Sequence, residues 1–425
     1  MRLQDIFFNL FLFFLPTQLA YHFWPSWSLI YGIRVDYLAP AIYLTDILFC
    51  LAFLTWVFAN RQIIKKKVLS YRFFLLTLIY LVCAFINITN SKIPQASVYN
   101  WLKALELICI GIYTYGNWFN IRLALRTIIP FWFIFIFFIS VLHFFQGRTI
   151  GGIFYFLGER SFNIATPGIA LVKVFGKDFL RPYATFPHPN VMGGFVAAAM
   201  LLMLCLEKIF FKRLFIFIGI LLIFLSFSQN AWGAFILTVI VFFLTKKGKS
   251  NTIWPIFKIL ALGVLIFSLA QLIFSDLLLE GNYQFVENIQ RRLILSAVSK
   301  KVFLENPLGG CGLGVFIQSL PAHKNYFDFL QNSSFFWWLQ PVHNIYLLLA
   351  DELGLIGIIF LVYFICVLAK ILKEKKSCYI FPLLIVFLTG SFDHYWLTLQ
   401  QTRVLLVILI AAFLVESKLH NAYSK

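Results

Sequence analysis

The stretch IIPFWFIFIFFISVLHFF, residues 128–145, indicates the fold class of this chain. It runs for 18 residues without a single Asp, Glu, Lys or Arg. An apolar run of this length with almost no charge is typical of a helix that crosses a membrane, because about 20 residues of α-helix span the hydrocarbon core. The stretch therefore predicts a transmembrane helix.

The composition of the whole chain also indicates a membrane protein. Of 425 residues, 61% are hydrophobic and 12% are charged, and the mean hydropathy is +0.87. An ordinary globular domain is about half apolar and one quarter charged. The composition excludes a water-soluble globule, whereas twelve helices of about 20 residues each would accommodate most of the apolar residues.

Apolar runs bounded by polar clusters predict the positions of these helices. The predicted fold class is all-α: a polytopic membrane helix bundle of about 12 transmembrane helices, with a large outer-face loop that contains amphipathic helices. The predicted spans are residues 6–21, 38–59, 73–89, 99–117, 128–145, 188–206, 214–228, 231–244, 254–275, 343–369, 379–392 and 401–415.

The basic residues predict the orientation of the bundle. The formal net charge is +18. With the N-terminus inside, the inner segments hold 21 basic and four acidic residues, so they carry +17, and the rest of the chain carries only +1. Such asymmetry follows the positive-inside rule. It predicts a multi-pass protein of the cytoplasmic membrane with both termini cytoplasmic, and it makes nucleic acid an unnecessary partner.

The span pattern divides the chain into three predicted parts. Residues 1–275 form an N-terminal transmembrane bundle with spans 1–9. Residues 276–342 form a large extracytoplasmic loop, and residues 343–425 contain spans 10–12 and a cytoplasmic tail. Another long outer segment runs from 146 to 187; in chain order we call it the first outer segment and the loop 276–342 the second outer segment. Because the inner loops are short, any chemistry outside the bilayer is expected on the outer side.

In the first outer segment, the sequence RPYATFPHPN, residues 181–190, precedes a predicted span. Its three prolines restrict the backbone to a rigid, extended approach. Such an approach can hold Arg181 at the mouth of the bundle. A simpler interpretation is a proline-containing helix start that Asn190 caps.

In the second outer segment, residues 288–304 carry apolar side chains at a helical spacing. We expect an amphipathic helix along the outer leaflet, with Arg291 and Arg292 near the lipid headgroups. The run GGCGLG, residues 309–314, follows this helix. Its glycines predict tight turns or a close approach of backbone segments.

The next predicted span begins at His343 and Asn344. A histidine at the water-facing end of a helix can accept a proton near neutral pH, although a capping or hydrogen-bonding role is also open. Asp351 and Glu352 lie in an otherwise apolar helix, where carboxylates are costly. They need partners, and we expect an outer arginine to be one.

Other polar residues give weaker signals. Lys103 and Glu106 are expected to pair, since they lie three residues apart on a helix. No spacing of His, Cys, Asp and Glu is typical of a zinc or calcium site. The sequence therefore predicts neither a metal ion nor another cofactor.

Taken together, the motifs resemble the O-antigen ligase and polymerase superfamily of bacterial polytopic membrane proteins. The likeness covers residues 1–415, and the motifs keep the family order. The matching pieces are TPGIA at 166–170, RPYATFPHPN at 181–190, RL at 292–293, NPL at 306–308, GCGLG at 310–314, HN at 343–344, ELGLIG at 352–357 and DHYWLTLQQ at 393–401.

The resemblance implies a metal-independent glycosyltransferase that takes a glycan from an undecaprenyl-pyrophosphate carrier at the outer face of the cytoplasmic membrane. It implies that His343 is the base for the acceptor hydroxyl and that Arg181 and Arg292 bind the pyrophosphate. Where relatives commonly have Ser-Arg, this chain has Ser-Gln at 228–229. The remaining candidate substrate-binding residues are Arg291, His188, Asn190, Asn344, Glu352 and Gln229.

Several functions are compatible with these motifs. The leading hypothesis is ligation of a glycan to a lipid core or polymerisation of a glycan, with a lipid-linked donor, a glycan or lipid acceptor and membrane lipids as partners. A protein O-oligosaccharyltransferase of the same superfamily is an alternative. A flippase or other transporter is another, although it would need polar groups through the middle of the bundle.

Overall fold

A computed structural model describes residues 2–68, 70–247, 269, 287–326, 339–374 and 377–423. Apart from Leu269, the predicted span 254–275 lies outside the described residues, as do positions 276–286 and 327–338 of the large loop. The described part is mostly helical. Its helices are α1 Leu3–Phe13, α2 Leu44–Ala59, α3 Arg61–Val68, α4 Tyr71–Asn90, α5 Pro94–Gln146, α6 Ile153–Phe156, α7 Pro189–Cys205, α8 Lys212–Leu225, α9 Gln229–Lys247, α10 Glu287–Glu305, α11 Ile345–Leu353, α12 Leu355–Glu374, α13 Ile380–Gly390, α14 Tyr395–Thr398 and α15 Gln400–Tyr423.

The apolar helices support a helical membrane protein. Among the described residues, α4, α5 and the part of α15 from Gln400 to Lys418 are long and apolar enough to cross a membrane. Six shorter apolar helices accompany them, which are α1, α2, α7, α9, α12 and α13 over most or all of their lengths. The fold class is therefore consistent with the prediction, whereas the number of twelve spans stays a prediction.

Helix α5 contains two predicted spans, 99–117 and 128–145. It has 53 residues, so a straight helix of this length would measure about 80 Å, more than twice the hydrocarbon thickness of a bilayer. Its helical dihedral angles are interrupted at Asn117, with φ −118° and ψ 19°. The predicted loop between the spans is thus wrong, because the connection is helical on both sides of a kink.

The predicted span 343–369 is two helices, α11 and α12, and this corrects the prediction of a single one. They are separated by Gly354, whose φ of +63° lies in the left-handed region. The Gly310–Gly314 loop packs against this break, where the backbone N–H groups of Cys311 and Gly312 donate to the carbonyls of Asp351 and Glu352 at 2.9 and 3.2 Å. A Cβ atom on Gly310 would lie 2.2 Å from the carbonyl oxygen of Glu352. The glycines therefore permit the close approach that their sequence predicted.

Three short antiparallel strand pairs, two of them hairpins, were not predicted. They pair β1 Ala20–His22 with β4 Ala41–Tyr43, β2 Leu29–Ile30 with β3 Ile33–Arg34, and β5 Leu171–Val174 with β6 Lys177–Leu180. The third pair lies in the first outer segment. Its last residue, Leu180, is fully buried beside Phe162 and Tyr183. This packing fixes the chain immediately before Arg181.

Helix α7 lies at the centre of the main hydrophobic core. It contacts α5, α8, α9, α13 and α15, and nearly all of its residues are buried. A Cβ atom on Gly194 would lie 2.0 Å from the hydroxyl oxygen of Tyr395, so the glycine allows α14 to pack directly on α7. The N-terminus of α7 is therefore held against the segment that precedes α14.

Helix α10 confirms the predicted helix at 288–304 but not its surface position. Every residue from 293 to 299 is buried, although an interfacial helix would expose one face to lipid headgroups. The helix packs against α11 and a 3-10 segment, Phe316–Tyr326. Its arginines are consequently positioned by protein contacts.

Candidate active site

The N-terminus of α7 forms the first wall of the site. His188 is the N-cap residue, and its Nδ1 accepts a hydrogen bond from the backbone N–H of Asn190 at 3.1 Å. Pro189 occupies the first helical position, where its missing N–H costs nothing. The simpler sequence interpretation proposed Asn190 as the cap, but the cap residue is His188. The side chain of Asn190 is available for other contacts.

Arg181 is fixed by a fork of hydrogen bonds. Its Nε and Nη2 donate to the carbonyl oxygen of Ser226 at 3.1 and 2.9 Å. Nη2 also donates to Oδ1 of Asn190 at 2.8 Å. These contacts tie the first outer segment to the end of α8 and leave Nη1 for another partner. The prolines predicted an extended approach, but the segment that follows Arg181 is not extended throughout, because it turns at Ala184, whose φ is +48°.

Asn190 connects Arg181 to a carboxylate on a distant segment. Its Nδ2 donates to Oδ2 of Asp393 at 3.3 Å, and Oδ1 of Asp393 accepts the backbone N–H of His394 at 2.9 Å. Burial alone would raise the pKa of Asp393, but the positive charge of Arg292 and the interactions with His394 and His343 hold it below the usual range. Asp393 is therefore ionised at neutral pH.

His343 and His394 face each other beside this carboxylate. Their ring centroids are 5.2 Å apart at an interplanar angle of 76°. Nδ1 of His394 lies 2.8 Å from Oγ1 of Thr398, and the ring of Tyr37 packs on His394 at 5.4 Å. One ligand-type atom from each of His343, Asp393 and His394 lies within 4.8 Å of the other two. The structure thus brings together a metal-compatible cluster that residue spacing did not reveal.

The imidazoles of the site are neutral at neutral pH. Burial lowers the pKa of His343 to about 3 and that of His188 to about 4, and Arg292 and Arg181 reinforce the respective shifts. Burial also lowers the pKa of His394. Nδ1 of His343 is buried and, among the described residues, has no hydrogen-bond partner. A buried polar atom without a partner is costly and calls for a ligand.

Of the two adjacent arginines of α10, Arg292 acts on the cluster. Its positive charge lowers the pKa values of His188, His343, Asp393 and His394. Both side chains are half-buried. The structure therefore brings Arg292 to the electrostatic environment of His343.

Two predicted substrate-binding residues have other positions. Asn344 is fully buried as the N-cap of α11, where its Oδ1 accepts the N–H groups of Tyr346 and Leu347 at 2.9 and 3.2 Å. Gln229 is exposed at the first residue of α9. Asn344 thus fixes the helix that follows His343, and no described contact brings Gln229 to the cluster.

In the part of the chain that the structure describes, no arginine forms an ion pair with Asp351, so the expected partner was wrong there. The charge of Arg403 does act on Glu352. Oδ2 of Asp351 accepts a hydrogen bond from Oγ of Ser299 at 2.6 Å. Glu352 accepts backbone hydrogen bonds from Gly314 and Phe316. Both carboxylates join α11 to neighbouring segments. Oδ1 of Asp351 is nevertheless buried without a hydrogen-bond partner among the described residues.

Four residues near the cluster were missing from the predicted site. Asp393 and His394 belong to the DHYW motif, so their position in the family order was a usable signal. Tyr37 lies between β3 and β4, in a segment with no motif. Arg160 donates from Nη1 to the carbonyl oxygen of Pro187 at 3.4 Å, which places an exposed cation beside His188.

A cavity of about 200 Å³ adjoins the cluster. Tyr37 and Thr398, which contact His394, form part of its wall. Its lining also includes Glu352, Arg403 and several apolar side chains. Nε of Arg403 is buried without a hydrogen-bond partner among the described residues. The cavity therefore offers a charged group beside mainly apolar walls.

The comparison with protein families agrees with this geometry. Residues 214–362 match the O-antigen ligase family. The match confirms the resemblance to the O-antigen ligase and polymerase superfamily, and it supports a membrane enzyme of the O-antigen ligase type. No curated protein matches the chain.

The region matched by the O-antigen ligase family contains part of the site. Arg291, Arg292, His343, Asn344, Glu352 and Gln229 lie within it. Arg181, His188 and Asn190 precede it, and Asp393 and His394 follow it. The contacts between Arg181, Asn190 and Asp393 thus join residues from both sides of the O-antigen ligase region to the histidine within it.

Proposed function

We propose that this protein transfers a glycan from an undecaprenyl-pyrophosphate carrier to an acceptor hydroxyl, as an O-antigen ligase or polymerase, at the outer face of the cytoplasmic membrane. The observation that carries the proposal is the convergence of two arginines, an ionised Asp393 and the unpaired His343 on one site. A structural membrane protein has no need for this arrangement, because each of these groups is costly to bury.

His343 is the general base of the proposed reaction. Its neutral imidazole accepts the proton of the acceptor hydroxyl while the hydroxyl oxygen forms a bond to the anomeric carbon of the donor sugar. The bond between that carbon and the pyrophosphate oxygen breaks, and the lipid pyrophosphate leaves with the electron pair. Asp393 lies close enough to stabilise the imidazolium ion that forms, as a carboxylate does for a catalytic histidine.

Arg181 and Arg292 stabilise the leaving group. Negative charge develops on the pyrophosphate as its bond to the sugar breaks, and fixed cations aimed at developing charge are a major source of catalysis. Arginine remains charged at every physiological pH and presents a planar set of donors to phosphate oxygens. Because two arginines supply this charge, the proposed mechanism needs no metal ion.

The cavity beside Tyr37 and Thr398 is the proposed site of the acceptor sugar. It borders His394, which packs against the proposed base, so an acceptor held there has a short path to His343. Tyr37 offers an aromatic face and Arg403 and Glu352 offer charged groups, a combination that suits a polar sugar ring. The identity of the acceptor decides between ligation, polymerisation and the alternative of transfer to protein Ser or Thr.

The experiment compares wild-type protein with His343→Ala in vesicles supplied with a defined lipid-linked glycan. We expect transfer to fall about a thousandfold or more, because general base catalysis contributes up to about four orders of magnitude. His22→Ala is the matched control, since His22 lies in the β1 strand of another outer segment. Circular dichroism and gel filtration check that both variants fold.

The mass of the product separates the possible reactions. A lengthened glycan on the carrier identifies a polymerase, glycan on lipid identifies a ligase, and glycan on protein identifies an oligosaccharyltransferase. Wild-type turnover by His343→Ala would remove His343 from the mechanism. Movement of the lipid-linked glycan across the bilayer without a new bond would instead identify a transporter.

A further inference from the structure

The cluster of His343, Asp393 and His394 has the composition of a transition-metal site. It offers two imidazole nitrogens and one carboxylate oxygen, all within 4.8 Å of one another. We propose that these three residues bind a divalent ion of the zinc class, and that the bound ion inhibits glycan transfer by occupying the nitrogen of His343. The inhibitory part rests on the proposed function, whereas the binding part does not.

The distances are close to those of a formed site. A tetrahedral zinc ion with bonds of about 2.1 Å holds its ligand atoms about 3.4 Å apart. Nε2 of His394 already lies 3.9 Å from Oδ1 of Asp393. Rotations that move the ligand atoms by about 1 Å would close the site. Three protein ligands leave the fourth position open for water or a substrate oxygen.

The groups around the ligands hold them as metal ligands are usually held. Nδ1 of His394 is engaged by Thr398, so Nε2 is the nitrogen left for an ion. Asn190 and the backbone N–H of His394 bind the carboxylate of Asp393. Such outer hydrogen bonds orient the first ligands of metal sites. Nδ1 of His343 is buried without a described partner, so a metal would satisfy a nitrogen that the protein leaves unpaired.

The chemistry of the ligands selects the ion. Neutral imidazoles suit Zn²⁺, Cu²⁺ and Ni²⁺, whereas Mg²⁺ and Ca²⁺ prefer oxygen ligands. The charge of Arg292 acts on all three ligands, and it disfavours a second cation. We therefore expect reversible binding that a chelator removes, and not a permanently resident ion.

The first experiment measures binding without any sugar substrate. Purified full-length protein in detergent micelles is titrated with Co²⁺, whose visible absorption is intense in a tetrahedral site, and Zn²⁺ is then added to displace it. We expect one equivalent of Co²⁺ with a tetrahedral spectrum. His394→Gln and His343→Gln should abolish the spectrum, and His22→Ala should retain it.

Two results would overturn the metal site. One is a wild-type protein that gives no tetrahedral spectrum at saturating Co²⁺, and the other is a spectrum that persists in folded His394→Gln and His343→Gln proteins. Either result leaves transfer by His343 untouched, because transfer is assayed separately. Circular dichroism confirms that a loss of binding does not come from unfolding.

The second experiment measures inhibition in the vesicle assay. Zn²⁺ at saturating concentration should lower transfer at least tenfold, excess chelator should restore it, and Mg²⁺ should have no effect. Binding of Zn²⁺ with full transfer activity would overturn the inhibitory part. A loss of transfer in His343→Ala together with unaltered Zn²⁺ inhibition kinetics in His22→Ala would support both proposals.

Discussion

Two regions of the molecule bury polar groups in opposite ways. The first, which we call the ion cluster, consists of Lys103, Asp46, Glu106 and Gln400. Nζ of Lys103 lies 2.7 Å from Asp46 and 2.6 Å from Glu106, and Nε2 of Gln400 donates to Oδ1 of Asp46 at 2.6 Å. These contacts connect α2, α5 and α15 and satisfy the charge of the buried lysine, while Oε1 of Glu106 and Oε1 of Gln400 have no hydrogen-bond partner among the described residues.

The second region is the site around His343. There, the ionised Asp393 and the charge of Arg292 act on an imidazole whose Nδ1 has no partner among the described residues. Removing one partner of a buried ion pair is strongly destabilising, whereas a buried polar nitrogen without a partner carries a cost that a bound group can relieve. The comparison teaches that the ion cluster serves the fold and that the His343 site serves binding. The predictions below test this separation.

The largest effect on stability is expected from Lys103→Met. Removing the cation leaves two carboxylates close together without compensation, and breaking a buried ion pair in this way costs about 3–5 kcal/mol. Denaturant unfolding in detergent micelles measures the free energy. Lys92→Met, at an exposed position before the same helix, is the control and should change it little. His343→Ala should also unfold like the wild type.

An unfolding free energy equal for Lys103→Met and Lys92→Met would show that the ion cluster is not structural. A large loss of stability in His343→Ala would show that the His343 site also contributes to folding. Either outcome would break the separation between a region for folding and a region for binding.

The next effect concerns the donor. Arg181→Lys and Arg292→Lys keep the charge but lose the planar set of donors, and a hydrogen bond to a charged group contributes about 1.5–3 kcal/mol. We expect kcat/KM for the lipid-linked donor to fall about ten- to a hundredfold, with a much smaller effect on the acceptor KM. Steady-state kinetics with each substrate varied in turn measures both. Equal effects on donor and acceptor would indicate that the arginines are structural.

The sequence predicted the parts of this site that rest on local rules. The glycine run at 309–314 predicted the close packing against α11. The pairing of Lys103 with Glu106 followed from helical spacing. Each of these predictions was confirmed because its cause lies within a few residues of sequence.

The parts that the sequence could not predict depend on contacts between distant segments. Asp393 lies 50 residues from His343, and only the packing of α14 on α7 brings its segment to Asn190. Asp46 forms an ion pair with Lys103 of α5, and Asp351 accepts a hydrogen bond from the hydroxyl of Ser299 on α10. The break at Gly354 depends on the loop that packs against it. Residue spacing carries no information on any of these contacts.

A smaller effect is expected from Arg403→Gln, which tests the proposed acceptor cavity. Arg403 lies in the first turn of α15, where a cation is unfavourable because the positive end of the helix dipole is there. Its Nε is buried without a hydrogen-bond partner among the described residues, so a bound acceptor could accept a hydrogen bond from it. We expect the acceptor KM to rise about tenfold, as for one lost hydrogen bond, while the donor KM stays unchanged.

The matched comparison is Arg181→Lys, which should change the donor and spare the acceptor. The same kinetic assay therefore separates the two arginines by substrate. An acceptor KM that Arg403→Gln leaves unaltered would remove the cavity from the acceptor site and keep the donor site as proposed.

The smallest effect is expected from removal of metal ions. The proposed transfer relies on Arg181 and Arg292 for positive charge at the leaving group, so treatment with a chelator should leave the rate unchanged or raise it slightly by clearing traces of zinc from His343. The vesicle assay before and after exhaustive chelation measures this ratio. A fall that added Zn²⁺ reverses would mean that His343, Asp393 and His394 hold an ion that transfer requires, and the imidazole could then not be the free base. Because the same three residues carry both proposals, the sign of this small change distinguishes an inhibitory ion from a catalytic one.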